Sequence, residues 1–222
     1  MRFCIKDRTL NVELETMPAY EINITQQPSN SQLRLVIHTG YFDDPDDFPG
    51  LAHLYEHTLM RGSALAPGCH TVLANHHYTV AAVTDMQQIT LTMECAHADV
   101  VTCSTLLEQT YLNYQPTLAS IEAEINTICQ EFSATCMDPI KRVQEVNKVT
   151  CNPLHPFAKF ASGNIYTFAA HSPAGCQARL LALHQACISQ PSRRSAPLPE
   201  LYLPSHKGIE ISVLTHATHC DN

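Results

Sequence analysis

Tryptophan is absent, glycine occurs only 7 times in 222 residues, and charged side chains make up 15% of the chain, well below the usual ~25%. So few glycines leave no glycine-rich loop to cradle a phosphate. Basic residues are in deficit: 13 Lys and Arg stand against 21 Asp and Glu, a formal net charge of −8. No basic run exceeds Arg193-Arg194, so a polyanion would be repelled and nucleic-acid binding is set aside. No apolar stretch approaches the ~18 residues that a membrane-crossing helix needs. Met1 to Leu10 alternates charged and apolar residues without the apolar centre of a secretory signal, so the cytosol is the expected compartment. The 10 cysteines, scattered from Cys4 to Cys220, include no C-x-x-C pair. They read as reduced thiols, mostly small core residues.

What the chain has instead is an irregular alternation of short strands and amphipathic helices, which argues an α+β fold. Tyr20 to Ile24 alternates, and Leu33 to His38 has the pattern of a buried strand. The acidic turn Asp43-Asp-Pro-Asp-Asp47 leads to Pro49 and a helix from about Gly50 to Gly62, with Pro49 expected in the first helical turn and Gly62 as its stop. Two strands, Thr79 to Thr84 and Gln88 to Met93, follow a stretch over 64–78 that reads as loop-like or weakly helical. Helices are expected over about Asp99 to Tyr111, from Pro116 to about Asp138 (apolar stripe Leu118, Ile121, Ile125, Ile128, Phe132), over Pro139 to Val149, and over Ala174 to Cys187. Asn152 to Asn164, rich in Pro, Gly and aromatics, reads as a structured loop, Gln190 to Pro204 as an exposed excursion, and Gly208 to Leu214 as a last strand.

Histidine is abundant, at 13 residues, and is the commonest metal ligand. His53 and His57 lie four apart in the helix that begins near Gly50, so both imidazoles share one face and can reach one cation. Glu56 projects beside them, close enough to touch a water on that cation without ligating it. Catalytic zinc takes three protein ligands and leaves one position open, so a third must come from elsewhere. Glu124 and Glu131, seven apart on the next long helix but one, stack within about 20° of each other at the border between core and cleft. The competing reading is a solvated helix face with two exposed histidines and ordinary surface acids. His70, His76 and His77, and His216 with His219-Cys220, read as solvated groups rather than further metal sites.

The order H-x-x-E-H is the inverted zinc motif, and Pro49-Gly-Leu-Ala-His-Leu-Tyr-Glu-His-Thr-Leu59 resembles the insulinase/pitrilysin family of zinc peptidases. The resemblance continues at Glu124-Ile-Asn-Thr-Ile-Cys-Gln-Glu131, 74 residues from His57 to Glu131, and at Asn152-Pro-Leu-His-Pro-Phe-Ala-Lys-Phe-Ala-Ser-Gly-Asn164. It covers about Tyr20 to Cys187 and extends toward Leu214. It implies a two-layer domain, a mixed, mainly antiparallel sheet packed against helices. It implies Zn2+ held by His53, His57 and Glu131, with Glu56 as general base and Glu124 orienting a histidine. The zinc would activate water for attack on peptide bonds in small or unfolded peptides. The wording around His53 is also similar to the bacterial branch that includes the peptidase of pyrroloquinoline quinone biosynthesis.

Departures from the family pattern are equally specific. Family members carry Asn-Ala-x-Thr on a strand near the site, where this chain reads Ala81-Ala-Val-Thr84; Ala81 thus replaces the Asn that helps hold substrate. The expected organisation is an N-terminal extension over 1–19, a catalytic domain over 20–214 with an insertion at about 189–201, and a tail over 215–222. The C-terminal edge is expected to be truncated, because the helix that should follow the last strand is missing. The alternative to an enzyme is an incompetent homologue acting as an interaction module, with a partner subunit or self-association supplying the missing half.

Overall fold

The computed structural model describes residues 2–5, 8–11, 23–26, 30–62, 78–151, 154–163, 165–189 and 209–210. His70, His76, His77, the Gln190–Pro204 excursion and the histidine-bearing tail lie outside the described residues. β1 (Arg2–Ile5) and β2 (Arg8–Asn11) form an antiparallel hairpin. The main sheet has the order β3 (Asn23–Gln26), β4 (Asn30–Ile37), β6 (Ile89–Ala96), β5 (Thr79–Thr84), and β7 (Ile209–Glu210) pairs with β4. Every described pairing is antiparallel. Within 208–214, only Ile209 and Glu210 are described.

Register sets which face of this sheet is the core. Leu33 pairs with Met93, Leu35 with Leu91 and Ile37 with Ile89, and all six are buried. The alternate residues face the other way, where Gln32 donates from Nε2 to Glu94 Oε1 at 3.1 Å. On β5 the same register puts Val80, Ala82 and Thr84 on the core side, while Ala81 pairs with Thr92 on the outer face and is exposed.

Six α-helices stand beside the sheet among the described residues: α1 (Leu51–Arg61), α2 (Val100–Leu112), α3 (Leu118–Met137), α4 (Pro139–Cys151), α5 (Ile165–Ala169) and α6 (Pro173–Ile188). α2 packs on β4 and β6, while α1 lies against β5, α3 and α6. Helices on one face of an antiparallel sheet make the two-layer α+β domain expected from the sequence. The short helix α5 falls just after the loop and was not expected. Leu118, counted in the apolar stripe of α3, is 44% exposed; the buried stripe runs through Ile121, Glu124 and Ile128.

α1 is the central helix. Leu51, Ala52, Leu54, Tyr55, Glu56, Thr58, Leu59 and Met60 are all buried, so only the stripe through His53 and His57 opens to solvent. Its start differs from the sequence expectation. Pro49 lies outside the helix, and Gly50 is the cap residue at φ 97°, a conformation costly for any side chain. The orphan amides are met from a distance: Asp44 Oδ2 accepts from Gly50 N at 2.7 Å and Oδ1 from Ala52 N at 2.8 Å.

Behind α1, the buried His184 of α6 packs against the rings of Tyr55, Tyr111 and Tyr114. The Tyr55 hydroxyl hydrogen-bonds its Nδ1 at 2.7 Å. Burial pushes the imidazole from 6.5 down to about 4. The unfolded chain therefore binds this proton at a higher pH than the folded chain does. The contribution is complete above about pH 6.5 and is lost as the pH falls toward 4, worth about 3 kcal/mol. Urea denaturation at pH 4 to 7 should show His184→Gln with a shallower acid decline in stability than the wild type. Parallel pH profiles for the two proteins would contradict this reading.

Candidate metal centre and active site

Two imidazoles and one carboxylate converge. On α1, His53 Nε2 and His57 Nε2 are 3.2 Å apart. From α3, Glu131 Oε2 lies 3.6 Å from each. Donors about 2.0–2.1 Å from a tetrahedral metal are ~3.3–3.4 Å from one another, so this triangle has the right size to hold one cation. Among the described residues these three are the group of histidine, cysteine and acidic side chains able to hold a metal ion. The third donor anticipated on α3 is therefore brought to the histidine pair.

Hydrogen bonds decide what the two ring nitrogens present to that point. His53 Nδ1 is 3.2 Å from the Ser162 carbonyl oxygen, which can only accept, so Nδ1 carries the proton. His57 Nδ1 is 3.0 Å from Glu124 Oε2, and a carboxylate likewise favours a donor there. With both Nδ1 atoms protonated, the Nε2 lone pairs point at each other and at a carboxylate oxygen. Such an arrangement calls for a positive charge between them, a proton or a metal ion. Burial and the neighbouring His57 hold His53 below its ordinary value. Burial also acts to lower His57, but the hydrogen bond to Glu124 and the charges of Glu131 and Glu56 outweigh it and raise that imidazole.

The surrounding residues fall where the fold puts them. Glu124, at the core border, is buried, and its second oxygen, Oε1, accepts from Arg61 Nη1. Burial works to raise this carboxyl, yet the hydrogen bonds from His57 and Arg61 hold it below its ordinary value. Glu131 is 48% exposed, on the cleft side of the same helix. Glu56, buried under β5, accepts from the Thr84 hydroxyl on Oε2 at 2.6 Å. The cleft is bordered by Ala82, Val83 and Thr84 on one side and by Ala161 and Ser162 on the other. Ala81 is not among the residues that border it, and its side chain lies on the outer face of the sheet.

Sequence reasoning missed three of these contacts. Thr84 entered only as the last residue of the Ala81-Ala-Val-Thr84 phrase, yet its hydroxyl meets Glu56. Ser162 acts through its carbonyl, which any residue could supply; the signal lay in the glycine after it. Gly163, at φ 70°, presses against Gly50: a Cβ built on Gly163 would come 2.9 Å from Gly50 Cα, and one built on Gly50 would come 2.4 Å from Gly163 Cα. This backbone apposition brings the loop over the start of α1 and lays the Ser162 carbonyl on His53. Arg61 carried no signal at all.

A sequence model of the family described as Insulinase (Peptidase family M16) matches residues 22–153. The chain belongs to the insulinase family. Its relatives include the insulin-degrading enzyme of Homo sapiens, 27% identical over 184 residues covering 79% of this chain and 18% of that protein. Another is Protease 3 of Salmonella typhimurium, 26% identical over 193 residues covering 79% and 19%. The crystal structure of pitrilysin matches with a TM-score of 0.63 at 21% identity, covering 96% of this chain and 22% of that one, a likeness of fold. The chain spans less than a fifth of the length of these curated insulinase relatives. No helix among the described residues is long and apolar enough to cross a membrane.

The Gly50–Gly163 contact makes a direct prediction. Gly163→Ala would place a Cβ against Gly50 and the Phe168 ring at a positive φ, costing about 1–3 kcal/mol in urea denaturation. Gly175→Ala in α6, which meets only the Ser172 hydroxyl, serves as the near-neutral control. Equal effects at the two positions would show that the apposition is not constraining.

Proposed function

We propose that this domain is a zinc-dependent endopeptidase domain acting on peptide bonds in small or unfolded peptides. His53, His57 and Glu131 would hold the metal, and Glu56 would serve as general base. The observation that carries this reading is the triangle of two Nε2 lone pairs and one carboxylate oxygen, in a chain of a peptidase family. When bound, zinc supplies Lewis acidity for the scissile carbonyl and acidifies a coordinated water toward pKa ~7.

The protein's own groups supply the rest. Ser162 and Glu124 keep the protons of His53 and His57 on Nδ1, so both rings offer Nε2. Glu56 takes the proton of the attacking water and returns it to the departing amine. Thr84 holds one oxygen of that carboxylate and so fixes how the other faces the cleft. β5 is an edge strand of the described sheet beside the site, and its unpaired side could take an extended peptide backbone. That supports a peptide substrate. The Ala81 side chain lies outside the cleft lining, so main-chain pairing along β5 would carry the grip.

A second reading is favoured by the span of the chain relative to its kin. In that reading this stretch, which matches under a fifth of its relatives' length, holds zinc but cleaves only when a second half, from a partner subunit or self-association, supplies further substrate contacts. Two substitutions test the residue roles. Glu131→Gln should weaken zinc affinity by one to two orders of magnitude; unchanged zinc content would remove Glu131 from the ligand set. Glu56→Gln should retain zinc while cleavage of an unstructured peptide mixture, followed by mass spectrometry, disappears. If wild type and Glu56→Gln are equally inert while both bind zinc, the second reading holds for the isolated chain.

A further inference from the structure

We propose that Arg61 is a positioning residue for the metal site, locking Glu124 in the one orientation that keeps His57 Nε2 open to the cation. The inference rests on the zinc reading above and concerns a residue that the ligand set does not include. Arg61 is the last residue of α1, four after His57, and so lies one turn further along the same face. Its guanidinium Nη1 donates to Glu124 Oε1, while Glu124 Oε2 accepts from His57 Nδ1. The two oxygens of one buried carboxylate are thus divided between the ring that faces the metal and a fixed cation.

Without the second partner, the carboxylate is free to turn about its terminal torsion, which is soft, and to present either oxygen or neither to His57. A buried anion with one unsatisfied oxygen would also be drawn toward solvent. Either movement loosens the acceptor that keeps the His57 proton on Nδ1, and with it the direction of the Nε2 lone pair. Arg61 is 48% exposed while Glu124 is 11% exposed, so the guanidinium anchors the carboxylate from the wet side. It is not among the residues that line the cleft, and the contact that links it to His57 is Glu124. The competing explanation is a cation that merely suits the negative end of α1. Such a role would be indifferent to what stands at position 124.

That difference is measurable on the purified chain. Zinc affinity, read by competition with a chromophoric chelator, would be compared for wild type, Arg61→Met, Arg61→Gln, Arg61→Lys, Glu124→Gln and the Arg61→Met/Glu124→Gln double variant. Metal-free stability of each would be measured by urea denaturation. Either neutral replacement should weaken zinc binding by about 5- to 10-fold, and Glu124→Gln by 10- to 100-fold. Arg61→Lys should recover part of the loss, since it keeps the charge but not the planar fork. In the double variant, the Arg61 change should add nothing beyond twofold to the Glu124→Gln loss. Wild-type affinity in both neutral variants, or an Arg61 loss that is fully additive with Glu124→Gln, would overturn the assignment while leaving the zinc reading intact. A wild-type chain that takes up no zinc would overturn both.

Discussion

Two imidazole lone pairs and a carboxylate oxygen, all within 3.6 Å of one another, repel unless a positive charge sits between them. Much of the fold around α1 can be understood as the means of keeping that arrangement in place. A helix carrying two such histidines would ordinarily turn them toward water. Here α1 is enclosed by β5, α3 and α6, so the stripe through His53 and His57 is the only one left at the cleft. The ring protons are then pinned from opposite directions, His53 by a loop carbonyl and His57 by a buried carboxylate. Neither ring can turn its lone pair away without losing a hydrogen bond.

The supports are distributed across the chain. Asp44 satisfies the first amides of α1 from a loop six to eight residues upstream. The Gly50–Gly163 contact joins that helix start to a segment more than a hundred residues later. Lys159, in the same segment, donates to the carbonyls of Phe42 and Asp44 and reaches Asp46, so the loop is tied at two points and Ser162 is held between α1 and solvent. From the other side, α3 contributes Glu124 toward the core and Glu131 toward the cleft, two turns apart. One is buried and bonded to a ring and a guanidinium; the other is half exposed beside both rings. A shared helix thus gives two chemically alike residues different surroundings.

Much of this was legible in the sequence because it depends on periodicity. The four-residue spacing of His53 and His57 and the seven-residue spacing of Glu124 and Glu131 translate directly into shared helix faces. β4 was legible as a buried strand, while the face it turns to the core emerges from its register on β6. What escaped was whatever acts through backbone or across long separations. The Ser162 carbonyl has no side-chain signature, and the cap at Asp44 lies too far from Leu51 for local rules, which instead put Pro49 inside the helix. Arg61 looked like any basic residue at a helix end. Thr84 was legible as part of a phrase but not as the donor to Glu56, since that depends on the register of β5 on β6.

The most direct test is the zinc K-edge X-ray absorption spectrum of the chain loaded with one equivalent of zinc, with stoichiometry checked by elemental analysis. The account predicts one zinc per chain, a first shell of nitrogen and oxygen only at about 2.0–2.1 Å, and outer-shell scattering from two imidazoles. A sulfur shell at about 2.3 Å, which some of the 10 cysteines could supply, or the absence of stoichiometric zinc would contradict it.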